Sequence, residues 1–171
     1  LFKTGSVISF LPIQDQLEKM IIDKIGYLPY MKDLYLKFQK TFTCATFNLV
    51  NNEIEYISSN SHPDMPCTIA LRLSCNIPII FENFKYNNGI YIDGAIGDNF
   101  PIEYANKLSS KIIGIYIKPD IPDVNVIDFY NATSILQFIY KLVNIPLALE
   151  TGRKIKNINP TTKIIILDYN Y

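Results

Sequence analysis

Between residues 13 and 25, Leu17, Met20, Ile21 and Ile25 recur at helical spacing, with Gln14, Asp15, Glu18 and Lys19 opposite them. This predicts an amphipathic helix that follows Pro12 and is stopped by Gly26 and Pro29. A shorter helix is predicted over 31–38, with Leu34, Tyr35 and Phe38 on one side. The period then changes. Residues 41–50 are rich in β-branched and aromatic side chains and read as a strand. Asn51 and Asn52 turn the chain, and 53–58 alternates as the returning strand of a hairpin. Residues 59–66 are polar, contain Pro63 and Pro66, and read as a loop. A helix is predicted over 68–75, stopped by Pro78. Residues 79–86, the turn Asn87–Asn88–Gly89, and 90–92 predict a second hairpin.

In the C-terminal half, a helix is predicted over 101–108, with Pro101 at its first position. Residues 111–117 (KIIGIYI) are almost wholly apolar, as expected of a buried parallel strand. Residues 120–128 read as a loop. Residues 134–150 form a long apolar-faced helix interrupted at Pro146, and 163–168 (KIIILD) a last buried strand. Strand–helix–strand order with apolar strands predicts a mixed α/β fold with parallel crossovers.

Composition narrows the function. The 171 residues suit one domain, and 16 Lys+Arg balance 16 Asp+Glu. A chain with no basic excess is not a general nucleic-acid binder. Cys44, Cys67 and Cys75 form no CxxC, and His62 is the single histidine. That set falls short of a structural zinc site. The cysteines read as reduced core thiols of a cytoplasmic protein. No apolar run approaches the roughly 20 residues of a membrane span, and the sequence shows no basic-then-apolar signal segment. A start at Leu1 raises the expectation of a fragment. The abundance of Ile, Asn, Lys and Tyr reads as coding bias.

The segment 90–101 (IYIDGAIGDNFP) concentrates the chemistry. Asp93 ends a strand and is followed by the small residues Gly94 and Ala95. A carboxylate there can face a ligand, because open α/β sheets bind ligands at the carboxyl ends of their strands. The plainer alternative is an Asp that caps a turn. A shared cation between Asp93 and Asp98 is a further alternative, although D-G-A-I-G-D does not follow a calcium-loop order.

Two blocks together resemble the patatin-like phospholipase family. The first is R-x-S-x-x-I-P-x-x-F, here Arg72, Ser74, Ile77, Pro78 and Phe81. The second is D-G-A followed by N-x-P, here Asp93, Gly94, Ala95, Asn99 and Pro101. Cys44–Ala45–Thr46 is similar to the family's A-T-D segment, with Phe47 in place of the acidic residue. The resemblance runs over about 13–117. It implies a lipid acyl hydrolase with a Ser–Asp dyad: the serine on a G-x-S-x-G elbow, Asp93 as the base, and oxyanion donors from a Gly-rich loop. Gly94 and Ala95 would keep the turn small, and Arg72, Ser74 and Asn99 would support it. No cofactor and no metal is implied. The partners implied are a lipid substrate, phospholipid or acylglycerol, with peripheral membrane contact. The fold expected is three-layer α/β/α with a mixed, largely parallel sheet.

The glycines stand at 5, 26, 89, 94, 97, 114 and 152, and no two are four apart, so G-x-S-x-G is absent. Residues 1–171 are therefore expected to be the C-terminal portion of the domain, with the nucleophile segment on a missing N-terminal part of the same or another chain. Ser74, without flanking glycines, reads as a local hydrogen-bonding hydroxyl rather than a nucleophile. His62 reads as a solvated loop residue. Two alternatives stay open: a noncatalytic lipid-binding or scaffold module, and a plain α/β interaction domain.

Overall fold

The computed structural model describes residues 8–82, 84–118 and 131–168, and the chain divides into two compact units, Leu1–Asp98 and Asn99–Tyr171. In the first unit, α1 (Leu11–Ile25) has Pro12 in its first turn and ends at Gly26, whose left-handed φ of 83° lets its N–H reach Ile22 O at 2.8 Å. No residue of α1 itself is buried. Its anchor is the preceding Phe10, buried edge-on against Phe81 with ring centroids 4.9 Å apart. Helix α2 (Met31–Phe38) starts where the Tyr30 N–H donates to Asp33 Oδ2 at 3.0 Å.

Strands β1 (Thr43–Asn48) and β2 (Glu53–Ser58) form the predicted hairpin. β1 stops short of residue 50 because Asn48 Oδ1 accepts the Val50 N–H at 2.9 Å and starts the turn. Helix α3 (Cys67–Ser74) precedes β3 (Phe84–Tyr86) and β4 (Gly89–Asp93). The sheet order is β2-β1-β4-β3. The core joins Met31, Cys44, Ile57, Met65, Cys67, Ala70, Leu73 and Tyr91.

Two expectations are corrected here. The sheet is antiparallel in all three pairings, β1–β2, β1–β4 and β3–β4, and not largely parallel. Two tight hairpins build it, and such short turns can only join antiparallel neighbours. The strand predicted over 79–86 begins only at Phe84. Upstream of it, Ile79 sits at a φ of 74°, a strained region for a β-branched residue. Residues 77–81 form a turn, closed by Phe81 N–H to Ile77 O at 3.0 Å and Ile8 N–H to Ile80 O at 2.9 Å.

The second unit holds α5 (Ile102–Leu108), β5 (Ile112–Lys118), α6 (Ala132–Lys156) and β6 (Thr162–Asp168), α4 being the short helix described below. β5 and β6 pair in parallel from Ile112↔Thr162 to Lys118↔Asp168, the predicted crossover geometry. Phe100, Ile102 and Tyr116 form its core. Among the described residues, one face of β5 is covered: Gly114 and Tyr116 are buried, while Ile113, Ile115 and Ile117 are exposed, Ile113 to 69%. The strand expected to be buried is thus half-covered. The loop expected over 120–128 lies outside the described residues.

Pro146 does not interrupt α6, which is capped by Asn131 Oδ1 accepting the Thr133 N–H at 2.9 Å and runs on to Lys156. The missing proline N–H removes one bond. The turns beyond it are held by burial of Thr151 and Lys154, with Lys154 paired to Glu150 at 3.1 Å. Gly152 lies in this helix with open space where a Cβ would go. Gly152→Ala is expected to raise stability by about 0.5–1 kcal/mol, read as a higher unfolding midpoint. Among the described residues, no helix is long and apolar enough to cross a membrane.

Candidate active site

Asp93 is the last residue of β4, which lies between β1 and β3, and it stands opposite Thr46 of β1. After Gly94 the chain enters α4 (Ala95–Asp98), a single helical turn where a plain turn was expected. Asp93 Oδ1 accepts the Ala95 N–H at 2.8 Å, while Gly94 O accepts the Gly97 and Asp98 N–H groups at 3.0 and 2.8 Å. The carboxylate therefore does cap the turn, and that bond uses one oxygen only. Asp93 is half-buried. Burial raises its carboxyl above the usual carboxylate value, and the Ala95 N–H opposes the rise.

The turn is small because it must be. A Cβ on Gly94 would overlap the Ala45 carbonyl and come within 2.8 Å of Thr46 N. Close approach of two backbones, not an unusual dihedral, is what requires glycine here. A Cβ on Gly97 would meet Phe47 Cδ2 at 2.9 Å and Ile54 Cδ1 at 3.0 Å. Phe47, found where the resemblance called for an acid, thus forms with Ile54 the apolar seat of α4. Asp98 is buried and accepts from the Tyr56 hydroxyl at 2.5 Å.

The other residues singled out from the sequence have partners of their own. Arg72 is buried on α3, ion-paired to Glu82 Oε1 at 2.7 Å and donating to Gln14 Oε1 at 3.1 Å. Its guanidinium stands 3.9 Å from the Phe84 ring centroid and 5.4 Å from that of Phe10. These contacts tie α1 to α3 and to the segment leading into β3. Burial pushes the pKa of the Cys44 thiol up to about 12, and the nearby Ser74 hydroxyl opposes that rise. Asn99, the first residue of the second unit, donates to Thr151 Oγ1 at 3.4 Å. His62 lies in the predicted loop beside Ser61 Oγ, 3.0 Å from Nδ1. Cys44 and Cys67 are buried as expected. Cys75 is exposed instead; partial desolvation of its thiol raises the pKa, and the Asp93 charge adds to the rise.

The sequence profile of the patatin-like phospholipases matches residues 5–106. The chain belongs to the patatin-like phospholipase family. The matched span takes in both sequence blocks and the whole of the four-stranded sheet, and it ends within α5. Over 111 residues the chain is 35% identical to "Probable lipid hydrolase 463L" of Invertebrate iridescent virus 6, an alignment covering 65% of this chain and 37% of that relative. The chain thus spans little more than a third of the length of this curated relative.

Two side chains at this patatin-like site escaped sequence reasoning. Thr46 is fully buried, and its hydroxyl lies 2.9 Å from Leu73 O and 3.0 Å from Ile92 O, linking α3 to β4. Asn76 bonds the same strand from its other edge. Thr46 had a weak signal in the A-T pair, whereas Asn76 falls on a variable position of its motif. A cavity of about 120 Å³ lies in the second unit, lined by Glu103, Asn106, Arg153 and Lys154 among others. None of the residues singled out from the sequence lines it, and its polar lining does not suit an acyl chain.

Proposed function

We propose that this chain supplies the base of a lipid acyl hydrolase, with the nucleophilic serine on a segment outside this sequence. The observation that carries the reading is the placement of Asp93: a half-buried carboxylate at the carboxyl end of a central strand, on a turn held tight at Gly94. In this mechanism a carboxylate oxygen of Asp93 takes the serine proton as the serine oxygen attacks the acyl carbonyl. Asp93 then gives that proton to the departing alcohol oxygen, leaving an acyl-serine. Water attacks its carbonyl as Asp93 takes a water proton and passes it to the serine oxygen, and the fatty acid leaves. Partial burial suits the role, since it moves a carboxyl towards the working pH and makes it a stronger base. The Ala95 N–H favours the ionised form. Gly94 and Ala95 leave room for the serine, while Arg72, Ser74 and Asn99 support the surrounding elements.

The same proposal makes 1–171 the C-terminal portion of a three-layer patatin-like domain. Its substrate is a phospholipid or an acylglycerol, met by a cytoplasmic protein at the membrane periphery. Family membership supports the lipid substrate, as does the wording "lipid hydrolase" carried by the viral relative.

Full-length protein is expected to release fatty acid from a fluorescent phospholipid and to be labelled by a serine-reactive fluorophosphonate. The 171-residue chain is expected to do neither. A full-length protein that binds lipid vesicles without turnover or labelling would favour the noncatalytic lipid-binding module instead.

A further inference from the structure

β4 loses a neighbour just before it reaches Asp93. On one edge β1 accompanies it through Tyr91, Ile92 and Asp93. On the other, β3 covers only Gly89 to Tyr91. Backbone groups of alternate residues point to alternate edges of a strand. The carbonyl of Tyr91 and the N–H of Asp93 therefore face the edge where β3 is running out.

Asn76 meets both groups. Its side-chain NH2 donates to Tyr91 O at 2.9 Å, and its main-chain carbonyl accepts the Asp93 N–H at 2.9 Å. A carbonyl oxygen can only accept, so the nitrogen of the amide must be the atom that faces Tyr91. One residue thereby continues this edge where, among the described residues, β3 stops: its main-chain carbonyl takes the Asp93 N–H, and its side-chain amide adds a bond at Tyr91, the last β4 residue opposite β3. Asn76 is 1% exposed and lies two residues beyond the end of α3. The Thr46 hydroxyl grips the opposite edge at Ile92 O and also reaches Leu73 O of α3. The strand end is held from both sides.

A residue kept for packing alone would not look like this. Asn76 Oδ1 is buried with no partner among the described residues, and an unsatisfied buried acceptor is destabilising. An apolar side chain would avoid that loss and would forgo only the bond to Tyr91. The retained amide therefore points to what that bond does.

We propose that Asn76 is a positioning residue for Asp93, acting as a one-residue strand that fixes the end of β4 and with it the carboxylate. The proposal rests on the reading of Asp93 as the base. A displacement of about 1 Å at a catalytic group can lower a rate by ~10²-fold, and a frayed strand end gives displacements of that kind.

The test uses full-length protein and a fluorescent phospholipid, with four variants. Asn76→Ala and the near-isosteric Asn76→Leu are expected to lower kcat by roughly 30-fold with KM little changed. Hydrogen exchange at the Asp93 amide should quicken in both. Ile57→Val, a substitution at a fully buried core position of the same unit, controls for lost stability and is expected to keep kcat. Asp93→Asn is assayed beside them. If Asp93→Asn retains turnover, the reading of Asp93 falls and the positioning role with it. If Asp93→Asn is inactive while the Asn76 variants match Ile57→Val, only the positioning role falls. Failure of both Asn76 variants to fold would make Asn76 a folding residue and overturn the proposal.

Discussion

Asp93→Asn in the full-length protein is expected to lower kcat for ester hydrolysis by about 10³-fold, the scale of a lost general base. Asparagine keeps the shape of the side chain, and its oxygen can still accept the Ala95 N–H that Asp93 Oδ1 now holds at 2.8 Å. The variant should therefore fold, and the loss should appear in kcat rather than in KM. Stability should change in the opposite sense. Burial raises the folded-state pKa of Asp93 above the ordinary 3.8, so folding favours its neutral form. The stability that this preference contributes is full below the unfolded-state value and is lost as pH rises through the folded-state value. Near neutral pH the half-buried charge is a burden that asparagine removes. Thermal unfolding should thus show Asp93→Asn above the wild type near pH 7, with the gap closing in acid. Unchanged turnover would end the assignment of Asp93 as base. A gap that widens in acid would show that Asp93 is held by a charge partner in the folded protein.

Gly94→Ala is expected to cost about 3 kcal/mol of stability, at the upper end for overpacking. The added methyl would overlap the Ala45 carbonyl. The methyl is fixed directly by the backbone at position 94 and the atoms it meets are backbone, so no side-chain rotation relieves the clash. β4 would have to move away from β1 at the pair Thr46↔Asp93. The same movement would carry the carboxylate off its position, so activity should fall along with the unfolding midpoint in urea. Gly152→Ala, where the structure leaves open space, is the contrasting control. If the two substitutions shift the midpoint alike, the tight approach of β4 to β1 is not what glycine provides at position 94.

Much of the secondary structure was legible along the chain. Helices at 13–25, 31–38, 68–75 and 101–108 were found within a few residues of their observed ends, because helical periodicity and stop signals such as Gly26 act within one or two turns. The hairpin turns at Asn51–Asn52 and Asn87–Asn88–Gly89 were equally local; Asn52 and Asn87 both take the left-handed conformation that such turns use. Errors arose where local signals met tertiary packing. Pro146 reads as a break, yet α6 continues, its later turns held at the buried Thr151 and Lys154. Ile79 to Tyr86 has strand composition, but strand formation waits for Phe84.

By itself the sequence determined the order of elements, the membership of both motif blocks in one family pattern, and the lack of a G-x-S-x-G. Each of these is a matter of residue types at short spacing. The tertiary structure alone decided which strands lie beside β4, why position 94 admits no side chain, and which residues hold Asp93. Those facts depend on groups far apart in the chain: the Thr46 hydroxyl reaches Ile92 O across 46 positions, and the Asn76 amide reaches Tyr91 O across 15. A spacing rule cannot express such contacts, since they exist only once antiparallel pairing has brought the segments within hydrogen-bond distance.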